Sequence, residues 1–144
     1  MTHTIRPVES IDATALQTLY ESVGWSAYTR DMDKLLSAIR GSNYVVIAEE
    51  DERLLGVARA ISDDASVVYI QDILVCPEHQ GKGLGKELVG EILQRYKHVR
   101  QKVLLTDDRP EQLNFYRSLG FTNTRNLRNT VLNAFVIIDG TELS

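Results

Sequence analysis

The chain has 144 residues, a net charge of −4 and 43% hydrophobic residues, the profile of one soluble globular domain spanning 1–144 with its own core. The acidic balance excludes a nucleic-acid binder held by non-specific charge, and no apolar run approaches membrane-spanning length. A single cysteine excludes an internal disulfide and fits a reducing compartment, and Met1 to Pro7 lacks an export signal's apolar stretch, so a cytoplasmic protein is expected.

Thr4 to Val8 reads as a short first strand, with Pro7 favouring a sheet edge or a strand end. Leu16, Leu19, Tyr20 and Val23 then recur at helical spacing, and Gly24 stands where a C-terminal cap would. After an aromatic break from Trp25 to Tyr28, a second helix is marked by Met32, Leu35, Leu36 and Ile39. Thr29 is its candidate cap and Gly41 its end. Residues 44–48 and 54–61, joined by the charged turn Glu50-Asp51-Glu52-Arg53, read as a β-hairpin that the run Val67–Val75 extends into a meander.

That run is stopped by Cys76-Pro77. After Glu78-His79 comes Gln80-Gly81-Lys82-Gly83-Leu84-Gly85, opening into a helix with Leu84, Leu88, Val89, Ile92, Leu93 and Tyr96 on one face. Glycines between a strand and a helix start let a ligand approach the backbone closely. The free N–H groups of the first turn, backed by the helix dipole, suit a phosphate, and Lys82 and Lys86 add charge. The spacing is not that of a P-loop, because only Lys82, Gly83 and Leu84 separate Gly81 from Gly85, and Glu87 follows Lys86. A dinucleotide fingerprint fails too, since Leu88 stands where its third glycine belongs.

Gly90, inside this helix, costs about 1 kcal/mol against Ala, which suggests close packing there. Residues 102–106 form the next strand, parallel to its predecessor because a helix joins them. Asp108 is a candidate cap for a last helix with Pro110 in its first turn and Glu111 reaching back. Gly120 ends that helix, and residues 121–124 and 130–138 read as two closing strands.

Gln80, Gly83 and Gly85 match the pattern [Q/R]-x-x-G-x-[G/A]. With Leu74-Val75-Cys76-Pro77 before it and Asn114-Phe115-Tyr116-Arg117-Ser118-Leu119-Gly120-Phe121 after it, the chain resembles the GNAT superfamily of N-acetyltransferases. The resemblance implies a mixed α/β (α+β) fold of order β-α-α-β-β-β-α-β-α-β-β, with a central, mostly antiparallel sheet flanked by helices. It implies acetyl-CoA as co-substrate and direct attack by a primary amine; the short first-helix region shows no peptide-groove signature, so a small-molecule amine is expected. Backbone groups around Ile73, Leu74 and Val75 would then pair with pantetheine, and the Val75 N–H would polarise the thioester carbonyl. The amides of Gln80, Gly81, Lys82, Gly83, Leu84, Gly85 and Lys86 would hold the pyrophosphate. Asn114 would lie near the pantetheine arm, although Arg109 stands where many members carry a cofactor-contacting Asn.

Tyr116 matches the position from which many members protonate the departing sulfur; the alternative is an aromatic residue packed in the core. Asp72 is the odd residue of an apolar strand. It is a candidate base, an ammonium ligand, a proton relay through water, or a carboxylate satisfied by its neighbours. Tyr69 and Asp107 are secondary candidates for the base. Trp25 and Tyr28 fall where the family's acceptor pocket has a wall, and packing in the core is the alternative. Asp63, Asp64, Asp107 and Asp108 would attract a cationic acceptor or simply be solvated turn residues. Cys76 and His79 have C-x-x-H spacing, but His3 and His98 offer no matching pair, so no metal site is expected. A homodimer is compatible with the resemblance. Rival functions are acetylation of a protein Lys or N-terminus, and a non-catalytic acyl-CoA-binding module.

Overall fold

The alternating apolar pattern of the central sequence folds as a meander. In the computed structural model, which describes residues 2–140, five strands form one sheet in the order β1-β2-β3-β4-β5. They are β1 (Thr4–Val8), β2 (Tyr44–Glu50), β3 (Arg53–Ser62), β4 (Val67–Val75) and β5 (Gln101–Val103). Neighbours from β1 to β4 are antiparallel and β5 runs parallel to β4, the mixed sheet the sequence predicts. Pro7 sits on the edge strand β1, where its missing N–H costs no ladder bond. The hairpin turn places Asp51 and Glu52 at φ 50° and 65°, a left-handed pair that matches the twist of the flanking strands.

The chain divides into two units, one up to Leu105 and one from Thr106 onward. In the first, α1 (Ala13–Ser22) is capped by Asp12, whose carboxylate accepts from the Ala15 N–H at 3.0 Å, and Gly24 follows at φ +79°. The aromatic break folds as a short helix, α2 (Ser26–Thr29). The cap of α3 (Met32–Gly41) is Asp31, accepting from the Lys34 N–H at 3.1 Å. Thr29 is not the cap: a carboxylate stands immediately ahead of the first turn, while the Thr29 hydroxyl donates to Ser26 O within α2.

Helix α4 (Leu84–Arg95) buries Leu84, Leu88, Val89 and Ile92. Its close approach to the sheet falls at Gly56 and not, as expected, at Gly90. A Cβ at Gly56 would stand 2.9 Å from Leu74 O and 3.1 Å from a Leu88 methyl, whereas one at Gly90 would meet nothing within 4 Å. On β3, Gly56 and Arg59 point to opposite faces by strand alternation. Thus α4 covers one face while Arg59 lies beneath α1 and α2 on the other.

In the second unit, α5 (Pro110–Ser118) carries Pro110 in its first turn, and Gly120 follows at φ +97°. Asp108 does not cap it. The cap position falls to Arg109, with no side-chain bond, and the Asp108 carboxylate lies 3.6 Å from the Arg125 guanidinium. Glu111 stands 3.6 Å from Arg109 rather than reaching back to the backbone. Among the described residues no strand follows β5, so the two closing strands are not formed. Residues 121–124 run into a 3₁₀ turn at Thr124–Asn126, where Asn123 takes the Arg125 N–H on its side chain and the Asn126 N–H on its carbonyl. Those local bonds compete with a ladder. Residues 130–138 have the composition of a strand without one to pair with, and leave Val131, Phe135 and Ile137 80%, 93% and 93% exposed.

Candidate active site

Strand β4 is interrupted where its chemistry is densest. Opposite β3, Ala58 pairs with Ile73 and Arg59 with Gln71, so Asp72 is an extra residue, a bulge at φ +61°. An aspartate tolerates this left-handed conformation better than most residues, but it still needs support from its surroundings. The side chain supplies it. Oδ2 accepts from Arg59 Nε at 2.8 Å and from the Tyr20 hydroxyl at 3.1 Å. Oδ1 accepts from the Tyr28 hydroxyl at 2.6 Å and from Gln71 Nε2 at 3.3 Å. Arg59 also donates to Ser42 Oγ at 3.3 Å. Both ions are buried, and burial is tolerable only because each is paired and hydrogen-bonded.

The two tyrosines belong to an aromatic cluster. Tyr20 meets Trp25 and Tyr28 edge-on, with ring centroids 5.9 and 5.2 Å away, and Trp25 and Tyr28 are 6.0 Å apart. Tyr20 is fully buried while Trp25 and Tyr28 are half-buried, so these two present a wall with one free side. Burial and the Asp72 charge push both phenols above their ordinary range, as they do for Tyr69. Sequence reasoning isolated Asp72, Trp25 and Tyr28 but missed Arg59 and Tyr20. An arginine inside the apolar run of β3 was the available signal, as the counter-charge an inward-facing aspartate requires.

Beyond the bulge, β4 has a free edge. β5 accompanies it only at Val67, Val68 and Tyr69; from Ile70 to Val75 that side has no strand partner among the described residues. The Cys76 N–H donates to Leu55 O at 2.8 Å, so by alternation the peptide groups of Val75 and Ile73 point the other way, to the open edge. Gln80 caps this edge by donating its side-chain N–H to Val75 O at 2.9 Å, leaving the Val75 N–H for a ligand.

Gly81 and Gly83 follow with φ of +78° and +88°, values that admit glycine readily and other residues poorly. The first intrahelical bond of α4 runs from the Glu87 N–H to Gly83 O at 3.1 Å. The N–H groups of Leu84, Gly85 and Lys86 therefore precede the ladder and carry the positive end of the helix dipole. Lys82 and Lys86 are exposed beside them. Free strand edge, glycine turn and helix start thus follow one another along a short piece of chain, an arrangement that fits an extended arm ending in a phosphate.

In the second unit, Tyr116 lies on α5 with its ring edge-on to Phe115 at 5.0 Å and to Phe121 at 6.0 Å. Burial pushes its phenol up to about 12. Asn114 is exposed and accepts from Arg117 at 3.2 Å. Asp107 is exposed and 3.6 Å from Arg109.

The acetyltransferase (GNAT) family profile matches residues 11–121. Over 125 residues the chain is 35% identical to a histone acetyltransferase TAP1 of Glycine max, covering 77% of this chain and 52% of that protein. It is 31% identical over 117 residues to an uncharacterized N-acetyltransferase, ycf52, of Pyropia yezoensis, covering 78% and 66%. The chain therefore spans between about half and two-thirds of the length of these relatives. A solved GNAT family acetyltransferase, SP0256 of Streptococcus pneumoniae TIGR4, superimposes with a TM-score of 0.76 at 27% identity, over 92% of this chain and 98% of that one. Profile, relatives and fold agree: the chain belongs to the GNAT family of acetyltransferases.

Proposed function

We propose that this protein transfers an acetyl group from acetyl-CoA to a primary amine of a small molecule, by direct attack of the amine on the bound thioester. The observation that carries this reading is the free edge of β4 leading through Gln80 into the glycine turn at the head of α4. Ile73, Leu74 and Val75 would receive the pantetheine arm as an added strand, the amides from Gln80 to Lys86 its pyrophosphate, and the Val75 N–H the carbonyl oxygen as charge develops there. Asn114 contributes to holding the arm. In this reading the reaction takes place in the cytoplasm, and a homodimer is compatible with it.

Tyr116 is the acid. Its phenol stands well above a thiol's ordinary value of about 8.5, so complete proton transfer is unfavourable in the resting protein. Its contribution is an O–H···S hydrogen bond that steadies the thiolate as the C–S bond breaks, typically worth ~10²–10⁴ in rate. The thiolate takes up through water the proton that the ammonium releases. Trp25 and Tyr28 form one wall for the acceptor, and Asp107 adds negative charge for a cationic amine. Asp72 is a less suitable base than the sequence suggests, because four donors already occupy its two oxygens. Its role in this reading is to hold the bulge and the aromatic wall, while water removes the ammonium proton.

The decisive experiment measures thiol release from acetyl-CoA across polyamines, arylalkylamines, amino sugars, aminoglycosides and a Lys peptide, with Tyr116→Phe alongside. A small amine turned over by the parent and at least tenfold slower in the variant supports both acceptor class and acid. Turnover of the Lys peptide alone would favour protein acetylation, the reading suggested by the relative named as a histone acetyltransferase. Tight acetyl-CoA binding with no turnover anywhere would sink the enzymatic reading.

A further inference from the structure

The turn between β4 and the cofactor loop carries a second chemical cluster, separate from the Asp72 network. Pro77–His79 forms one 3₁₀ turn, closed by the His79 N–H on Cys76 O at 3.0 Å. Such a turn brings residues three apart onto one side. Cys76 Sγ accordingly lies 3.3 Å from His79 Nδ1. With a carboxylate oxygen of Glu78, the three candidate donor atoms all lie within 4.8 Å of one another.

Sulfur and nitrogen bound to one tetrahedral zinc ion, with bonds near 2.3 and 2.0 Å, stand about 3.5 Å apart. The Cys76–His79 pair already has nearly that separation. Glu78 is more than half exposed and its carboxylate meets its own backbone N–H and the surface guanidinium of Arg53, contacts open to water, so swinging it inward sacrifices little. The other imidazole nitrogen is also provided for: His79 Nε2 lies 3.8 Å from the Glu50 carboxylate. A carboxylate behind the distal nitrogen is the usual device for orienting a metal-bearing histidine. Looking for further histidines, as the sequence invites, misses two carboxylates that the turn and the end of β2 bring in.

We propose that Cys76, Glu78 and His79 form a binding site for a thiophilic divalent cation of the zinc type, with Glu50 orienting the imidazole. Thiolate and imidazole donors select such an ion over magnesium or calcium, and water completes its coordination. Cys76 is 3% exposed, so the ion enters past His79 and Glu78, and the thiol proton leaves to solvent as the sulfur binds. A bound ion would brace the turn immediately ahead of Gln80.

The test is calorimetric titration of the full chain with Zn²⁺ in a non-chelating reductant, paired with Co²⁺ absorption spectra. One saturable ion per chain is expected, weakened at least tenfold by Cys76→Ser and by His79→Ala. Glu50→Gln should weaken it by about 10–100-fold, the range for removing an orienting carboxylate. Cys76→Ser should also abolish the thiolate-to-cobalt charge-transfer band. Glu50→Gln and Glu78→Gln change carboxylates outside the core, so they read metal affinity even if the Cys76 or His79 variants fold poorly. Absence of saturable binding, or binding unchanged by all four substitutions, overturns the proposal. Because the readout is metal affinity and not turnover, this outcome is independent of the acetyl-transfer reading.

Discussion

Asp72 and Arg59 sit beneath α1 and α2 with side chains 3% and 8% exposed, and each is the other's counter-charge. Replacing one member of such a pair strands the other in a poorly solvating environment, which typically costs about 3–5 kcal/mol. Asp72→Asn preserves shape and removes the charge, so urea unfolding should show an unfolding free energy lower by that amount, seen as an earlier midpoint with little change in slope. Asp72→Asn with Arg59→Met should recover part of the loss. An unchanged midpoint in the single variant would mean that the bulge is held by the backbone alone.

At Tyr116 the same kind of argument concerns pH. An acid loses its effect as pH rises through its pKa in the folded protein, here about 12. An alkylammonium acceptor, near 10.4, gains its reactive neutral form from about 0.04% at pH 7 to roughly a third at pH 10. In the proposed reaction the phenol stays protonated from pH 7 to 10, so only the amine's ionisation changes over that range. Catalytic efficiency, followed by thiol release, should climb from pH 7 to 10 without a descending limb. A fall centred below pH 10 that disappears in Tyr116→Phe would show that the phenol titrates lower than its burial implies.

At the scale of elements, one chemical change at two glycines should have opposite signs. Gly90 is exposed in the middle of α4 with open space around its Cβ position, so Gly90→Ala should stabilise by about 1 kcal/mol through helix propensity alone. That corresponds to a melting temperature roughly 3–4 °C higher for a chain of this size. Gly56→Ala must push a methyl against Leu74 O and Leu88, and should destabilise by about 1–3 kcal/mol. Equal effects at both sites would contradict the packing of α4 on β3.

These glycines also mark what a sequence can disclose. The strand and helix periods, the hairpin turn and the glycine loop are local, so β2 to β4 and α4 could be read directly. Which glycine a helix approaches depends on the register of β3 against β4 and the rotation of α4, neither of which is local. The Asp72 bulge is non-local in the same way, since the extra residue exists only relative to Arg59 and Gln71 across the ladder. Residues 130–138 show the converse. Their apolar side chains satisfy a strand pattern, but pairing needs a partner that composition does not supply.

For the molecule as a whole, that segment determines behaviour in solution. Phe135 and Ile137 are each 93% exposed and Val131 80%, while complete burial of one such side chain is worth about 1.5–3 kcal/mol. Several exposed apolar side chains in one segment favour association, and a net charge of −4 opposes it only weakly once salt screens the repulsion. Light scattering after size exclusion should therefore give a mass that rises with loading concentration. Phe135→Ser combined with Ile137→Ser should return it to that of a single chain, leaving the unfolding midpoint nearly unchanged, because side chains already in water lose nothing on replacement. Raising salt should strengthen association in the parent and leave the double variant monomeric, which separates apolar from ionic contacts. A parent that stays monomeric at every concentration would rule out these residues as a self-association surface. A double variant that unfolds much more easily would show instead that its own chain covers them in solution.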